Sequence, residues 1–122
     1  MLDFLESFRF AWAGIAHVFR SQRNFRVHVT VAVLVGALGL WVGLPATSWA
    51  VLAITVGIVL VAEIFNTAAE ALVDLVSPDY HPLAKQVKDL TAGAVLVFAL
   101  VAVAVGLLVL GPPLLVRLGL LR

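Results

Sequence analysis

The chain has no cysteine, one methionine, one tyrosine and few charges: 12% of its 122 residues are charged and 63% are hydrophobic. Without cysteine there is no disulfide framework, no thiolate metal site and no thiol nucleophile. His17, His28 and His81 are scattered without the spacing of zinc ligands. A net charge of +1 leaves no nucleic-acid footprint. No Walker A sequence and no Gly-rich nucleotide loop is present, so any nucleotide site is of another kind. Asp3 and Glu6 at the N-terminus, without a short apolar core and cleavage site, argue against a signal peptide. So low a charge content lies far outside the soluble range of roughly a quarter. The expectation is a single-domain integral membrane protein.

What charge there is gathers in one stretch. Val61 to Asp89 holds five of the seven acidic residues. On a helix, Glu63, Asn66, Glu70 and Asp74 are spaced 3, 4 and 4 apart, so they share one face with Thr67 beside them. On a soluble helix such a stripe is ordinarily a solvated face. Here the same helix begins as a membrane span: Trp49 to Ala62 carries no charge, about 21 Å of helix against a hydrocarbon core of about 30 Å. Crossing the bilayer carries Glu63 and Asn66 into or against it, where ionisable groups are costly and tend to be functional.

The pattern reads as an all-α integral membrane protein, with an N-terminal amphipathic surface helix followed by three transmembrane helices. Residues 1–26 are the surface helix and a basic cluster, with Leu5, Phe8, Trp12, Ile15 and Phe19 on one broad side. Span 1 is 27–44, and Trp41 near its end suits an interface. Pro45 stops it, and Thr47 or Ser48 is expected to cap the next helix. Span 2, with the acidic stripe, is 48–76, and 77–82 form a cytoplasmic loop. Span 3 is 83–110, with Ala92, Gly93 and Ala94 as a close-packing face. Gly111-Pro112-Pro113 is expected to end it before a tail over 111–122. Arg9, Arg20, Arg23, Arg26, Lys85 and Lys88 on one side, against Arg117 and Arg122 on the other, predict a cytoplasmic N-terminus and an external C-terminus.

Carboxylates, an amide, lysines and a basic cluster at one membrane surface suit a phosphorylated, metal-bound substrate. Magnesium takes hard oxygen ligands, commonly one or two carboxylates plus substrate phosphates. Lysine offers phosphate a point charge, and a further carboxylate can take a proton from a hydroxyl. Spacing alone says metal and phosphate at the membrane, and leaves the reaction open.

The sequences E-I-F-N-T-A-A-E-A-L-V-D (63–74) and Y-H-P-L-A-K-Q-V-K-D (80–89), with F-R-F-A-W-A-G-I (8–15) and N-F-R-V-H (24–28), resemble the prokaryotic diacylglycerol kinase family, which includes the undecaprenol kinases. The resemblance runs in order over nearly the whole chain. It implies a homotrimer of the bacterial inner membrane with active sites shared between subunits, transferring the γ-phosphoryl group of ATP to a lipid alcohol with Mg²⁺. By motif position it implies Glu63 as catalytic base and Glu70 as metal ligand. Asn66, Lys88 and Asp89 would bind the nucleotide, and Asp74, Tyr80 and His81 match motif positions. Gln22 falls where the family commonly has a second metal-binding Glu, and is assigned to metal and nucleotide. Phe10 and Ala13 stand where Tyr and Lys are often found. The forms N-F-R-V-H and L-A-K-x-x-K-D look more like the undecaprenol kinase branch, with diacylglycerol as the alternative acceptor. A small proton-coupled exporter is the competing class. It needs a carboxylate with water access from both sides, whereas the first span here has none. A purely structural subunit would leave the stripe unexplained.

Overall fold

The computed structural model describes residues 3–120 and is all-helical among them: α1 (Phe4–Ser21), α2 (Arg23–Val42), α3 (Ala46–Val76) and α4 (Pro82–Arg117). The last three are long and apolar enough to cross a membrane. The chain is a multi-pass membrane protein, with α1 as the additional helix at its N-terminus.

Helix α1 leaves Phe4, Leu5, Phe8, Phe10, Trp12, Ile15 and Phe19 exposed and buries Val18. Those rings are suited to lie in the acyl boundary of a bilayer. One residue, Gln22 in an extended conformation, separates α1 from α2. The basic cluster follows directly. It forms the first turn of α2, where cations oppose the helix dipole. Arg26 resolves the conflict by reaching back: its Nη1 donates to the carbonyls of Phe19 and Arg20, each at 3.0 Å. The guanidinium thus caps the negative end of α1. Phe25 is buried and meets Phe19 edge-on, with ring centroids 6.4 Å apart.

Helix α2 ends at Gly43, whose φ of 74° is the left-handed conformation that glycine adopts without strain. The amides of Gly43 and Leu44 both bond to the Gly39 carbonyl. Helix α3 then starts at Ala46 with Pro45 as its N-cap and no side-chain cap bond. The expected capping by Thr47 or Ser48 is corrected: both lie inside the helix, because Pro45, already extended, directs the chain into its first turn.

Helix α4 also departs from expectation. It passes through Pro112 and Pro113 and continues to Arg117. Two prolines remove two intrahelical donors, yet proline already has a helical φ, and membrane helices tolerate the missing bonds. The stop lies further on. Gly119 has φ 72°, its amide bonds to the Val116 carbonyl, and that of Leu120 bonds to Leu115. Arg122 of the expected tail lies outside the described residues.

Helices α3 and α4 form the principal pair, joined by the loop at 77–81, and α2 packs on both. The apolar core sits at the α2–α3 turn, where Leu44, Leu52 and Leu110 are surrounded by Val35, Leu38, Val42, Trp49 and Val109. There the Trp49 ring lies against the backbone of Gly39. Arg117 stacks over Trp41 at 5.8 Å, linking the C-terminal ends of α2 and α4. The opposite end of the bundle gathers the start of α2, the end of α3 and the start of α4, and with them the polar residues.

Candidate active site at the polar end of the bundle

Helix α3, 31 residues long, extends about 46 Å, well beyond a hydrocarbon core of about 30 Å. Glu63 lies about 26 Å from its start and Glu70 about 36 Å. The stripe therefore begins near the edge of the apolar slab and continues out of it. Glu63 is 2% exposed, and Asn66 and Thr67 are buried with it. The Thr67 hydroxyl donates to the Glu63 carbonyl at 2.8 Å, so it is satisfied within its own helix.

Glu63 and Asn66 line a cavity of about 280 Å³ together with Asn24, Val27 and His28 of α2 and Ala92, Val95, Leu96 and Ala99 of α4. Its α4 wall is apolar and includes small residues, so the polar groups face a lining that offers them no partner. Asn66 Nδ2 donates to Glu70 Oε1 at 3.2 Å, which fixes the amide and the carboxylate one helical turn apart. Asn66 Oδ1 and Glu63 Oε1 are buried without a hydrogen-bond partner. Buried acceptors of this kind are expensive in a finished core and suit a pocket that receives donors from a substrate.

His28 Nε2 lies 3.4 Å from Glu63 Oε1. The separation is within ion-pair range, yet the pair does not meet hydrogen-bond geometry. The two groups are adjacent without a closed hydrogen bond. The sequence reading missed His28. Its side chain belongs to the apolar start of span 1, and a contact between helices leaves no periodic trace. Its position within N-F-R-V-H was the available signal.

A second, wider groove of about 480 Å³ runs between α3 and α4, lined by Gly57, Ile58, Ala62, Phe65, Ala94 and Phe98 and their neighbours. It is larger than the first but lined almost wholly by apolar residues. Asn66 lines both.

The remaining sequence-predicted residues do not line the smaller cavity, and Glu70 is tied to it as the partner of Asn66. Lys88 Nζ donates to Asp74 Oδ1 at 2.5 Å, joining α4 to α3 beyond Glu70. Lys85 pairs with Asp89 along the exposed side of α4. Tyr80 is exposed in the loop. His81 is the N-cap of α4, its Nδ1 accepting from the Leu83 amide at 3.1 Å. Gln22 sits at the α1–α2 junction, partly buried. Among the described residues, none of Gln22, Tyr80, His81 and Asp89 bonds to Glu63, Asn66 or Glu70.

No three His, Asp or Glu side chains converge on a metal position among the described residues. An all-protein cage is thus absent from the described part of a single chain. Glu70, partly buried and oriented by Asn66, still fits a magnesium ion that is bound largely through substrate phosphates.

The profile of the prokaryotic diacylglycerol kinase family matches residues 9–110. A diacylglycerol kinase of Synechocystis is 49% identical over 93% of this chain, the chain spanning 65% of that protein's length. An undecaprenol kinase of Bacillus subtilis is 40% identical over 91% of this chain and 90% of its own. A diacylglycerol kinase of Escherichia coli is 31% identical over 77% of each. With a family match running from α1 through most of α4 and a buried carboxylate at its polar end, the chain belongs to the prokaryotic diacylglycerol kinase family, a family of membrane lipid kinases.

Proposed function

We propose that this protein transfers the γ-phosphoryl group of ATP to a lipid alcohol at the cytoplasmic face of the bacterial membrane, with undecaprenol as the acceptor. The observation that carries the reading is Glu63: a buried carboxylate lining a cavity beside the amide of Asn66. Phosphoryl transfer asks the protein mainly to position two substrates and stabilise charge. Glu63 takes the proton of the lipid hydroxyl as the lipid oxygen attacks the γ-phosphorus in line. Lys88, directed by Asp74, offsets charge on the phosphates, and Asn66 orients them. Glu70 would hold magnesium, with Gln22 as a second, uncharged ligand. The ion would supply neutralisation of the phosphate oxygens. Asp89, Tyr80 and His81 border the nucleotide side.

Support for undecaprenol comes from the N-F-R-V-H and L-A-K-x-x-K-D forms and from the Bacillus subtilis relative, which the chain covers almost completely. Diacylglycerol is the second reading, favoured by the higher identity to the Synechocystis protein. Competition between the two alcohols in mixed micelles with γ-labelled ATP decides between them. A kcat/KM at least about ten-fold higher for undecaprenol is expected, and is worth about 1.4 kcal/mol of transition-state stabilisation. The reverse preference would overturn the acceptor assignment.

A homotrimer with shared sites belongs to the same proposal. A single chain leaves much apolar surface uncovered on α2, α3 and α4 and supplies few metal ligands. A neighbouring subunit could complete both.

A further inference from the structure

Across the cavity Glu63 Oε1 lies 3.4 Å from the His28 imidazole of α2, and Asn24, one turn before His28, is the other polar side chain that α2 contributes to the lining. The pair is asymmetric. The Glu63 side chain is 3% exposed and that of His28 is 24% exposed, so the ring spans from the buried carboxylate to the edge of the bundle. Most other groups around it are engaged or apolar. From α4 the lining is Ala92, Val95, Leu96 and Ala99, and α1 contributes no lining residue. On α2, Arg26 is bonded to the end of α1, and Asn24 and Val27 complete the lining. On α3, Glu70 is bonded to Asn66, and Asp74 is paired with Lys88 of α4.

A general base must present one defined oxygen to the proton, and a buried carboxylate oxygen left without a donor is costly. A single N–H donor on the opposite oxygen meets both needs.

We propose that His28 is the positioning residue of the base: its Nε2–H donates to Glu63 Oε1 and leaves Oε2 to receive the proton of the acceptor hydroxyl. The inference rests on the lipid-kinase reading of the cavity. As the lipid oxygen bonds to the γ-phosphorus and the bridging bond to ADP breaks, the hydroxyl proton passes to Oε2. His28 keeps its own proton throughout, and Glu63 returns the one it gained to water after product leaves. A merely structural role, tying α2 to α3, would affect folding and spare the chemical step.

The test uses the full chain in phospholipid vesicles and three variants. His28→Leu removes the donor, His28→Asn is too short to deliver one, and His28→Gln keeps an N–H at similar reach. His28→Leu and His28→Asn should lower kcat about 10–100-fold, with KM for ATP within about two-fold. His28→Gln should recover activity to within about five-fold of the parent. Infrared difference spectra against Glu63→Gln give an arm independent of turnover. The parent should show a Glu63 band displaced by a hydrogen bond, and His28→Leu that band shifted by loss of the donor. Equal loss in the Gln and Leu variants would overturn the proposal, as would an unchanged kcat with the Glu63 band unshifted in His28→Leu. If His28→Leu does not fold, His28→Asn against His28→Gln makes the same comparison. A parent protein with no phosphoryl transfer would refute the kinase reading, while the infrared arm would still decide whether His28 bonds to Glu63.

Discussion

At Glu63, Asn66 and Glu70, residue chemistry and helix geometry converge. The steps of three and four put these side chains on one face of α3, and the structure buries the first two and bonds the second to the third. Removing the base while keeping its shape is the most direct residue-level change. Glu63→Gln should lower kcat by about 10²–10⁴ with ATP binding retained, measured by phosphorylation kinetics alongside nucleotide binding. Gln22 tests the metal assignment. An amide oxygen can coordinate magnesium but brings no negative charge. Gln22→Glu should therefore reduce the Mg²⁺ needed for half-maximal activity, by about ten-fold if about 1.4 kcal/mol of interaction returns. Superimposable magnesium titrations would remove Gln22 from the ligand set. The stripe was legible in the sequence because it is periodic within one helix. His28 was not, since its partner lies on another helix and only the packing of α2 against α3 brings them together.

Among the elements, the three spans and the surface helix were legible from long apolar runs separated by charged or Pro-containing segments. Their ends were less so. Pro112-Pro113 looks like a terminator, yet the left-handed Gly119 does that work. Likewise Gly43, and not Thr47 or Ser48, organises the α2–α3 turn. The Gly39–Trp49 contact beside that turn was also invisible, since a glycine in a span has several possible reasons. A Cβ on Gly39 would sit 2.8 Å from Trp49 Cη2 and 2.9 Å from Leu44 Cδ1. Gly39→Ala should thus destabilise by about 1–3 kcal/mol, read as a lower Tm in detergent, and Trp49→Phe in the same chain should recover part of it. A Gly39→Ala protein as stable as the parent would mean that the helices part there freely. At the polar end the Lys88–Asp74 pair joins α3 to α4 with both partners partly exposed. Its contribution to stability should be within about 1 kcal/mol. Its effect should fall instead on nucleotide affinity: Asp74→Asn leaves Lys88 undirected and should raise KM for ATP by about 3–10-fold with kcat little changed. An unchanged KM would leave Asp74 with only a loop-ordering role.

For the whole molecule, the composition made the membrane setting legible, while assembly lies beyond one chain. The bilayer takes up an apolar surface of any shape, so composition does not say which faces of α2, α3 and α4 meet lipid and which meet another subunit. Complementation addresses this. Glu70→Ala subunits mixed with Lys88→Ala subunits should regain part of the activity if one site draws on two chains. Absence of rescue together with a monomer in native mass spectrometry would dismiss the shared site. The measurement closest to the central claim is transfer of the labelled γ-phosphoryl group of ATP to lipid alcohol in vesicles, run for the parent chain and for Glu63→Gln. The account predicts label in the lipid phase with the parent and a loss of about 10²-fold or more in the variant. A folded parent that labels neither undecaprenol nor diacylglycerol, or a Glu63→Gln chain within a few-fold of it, would contradict the account.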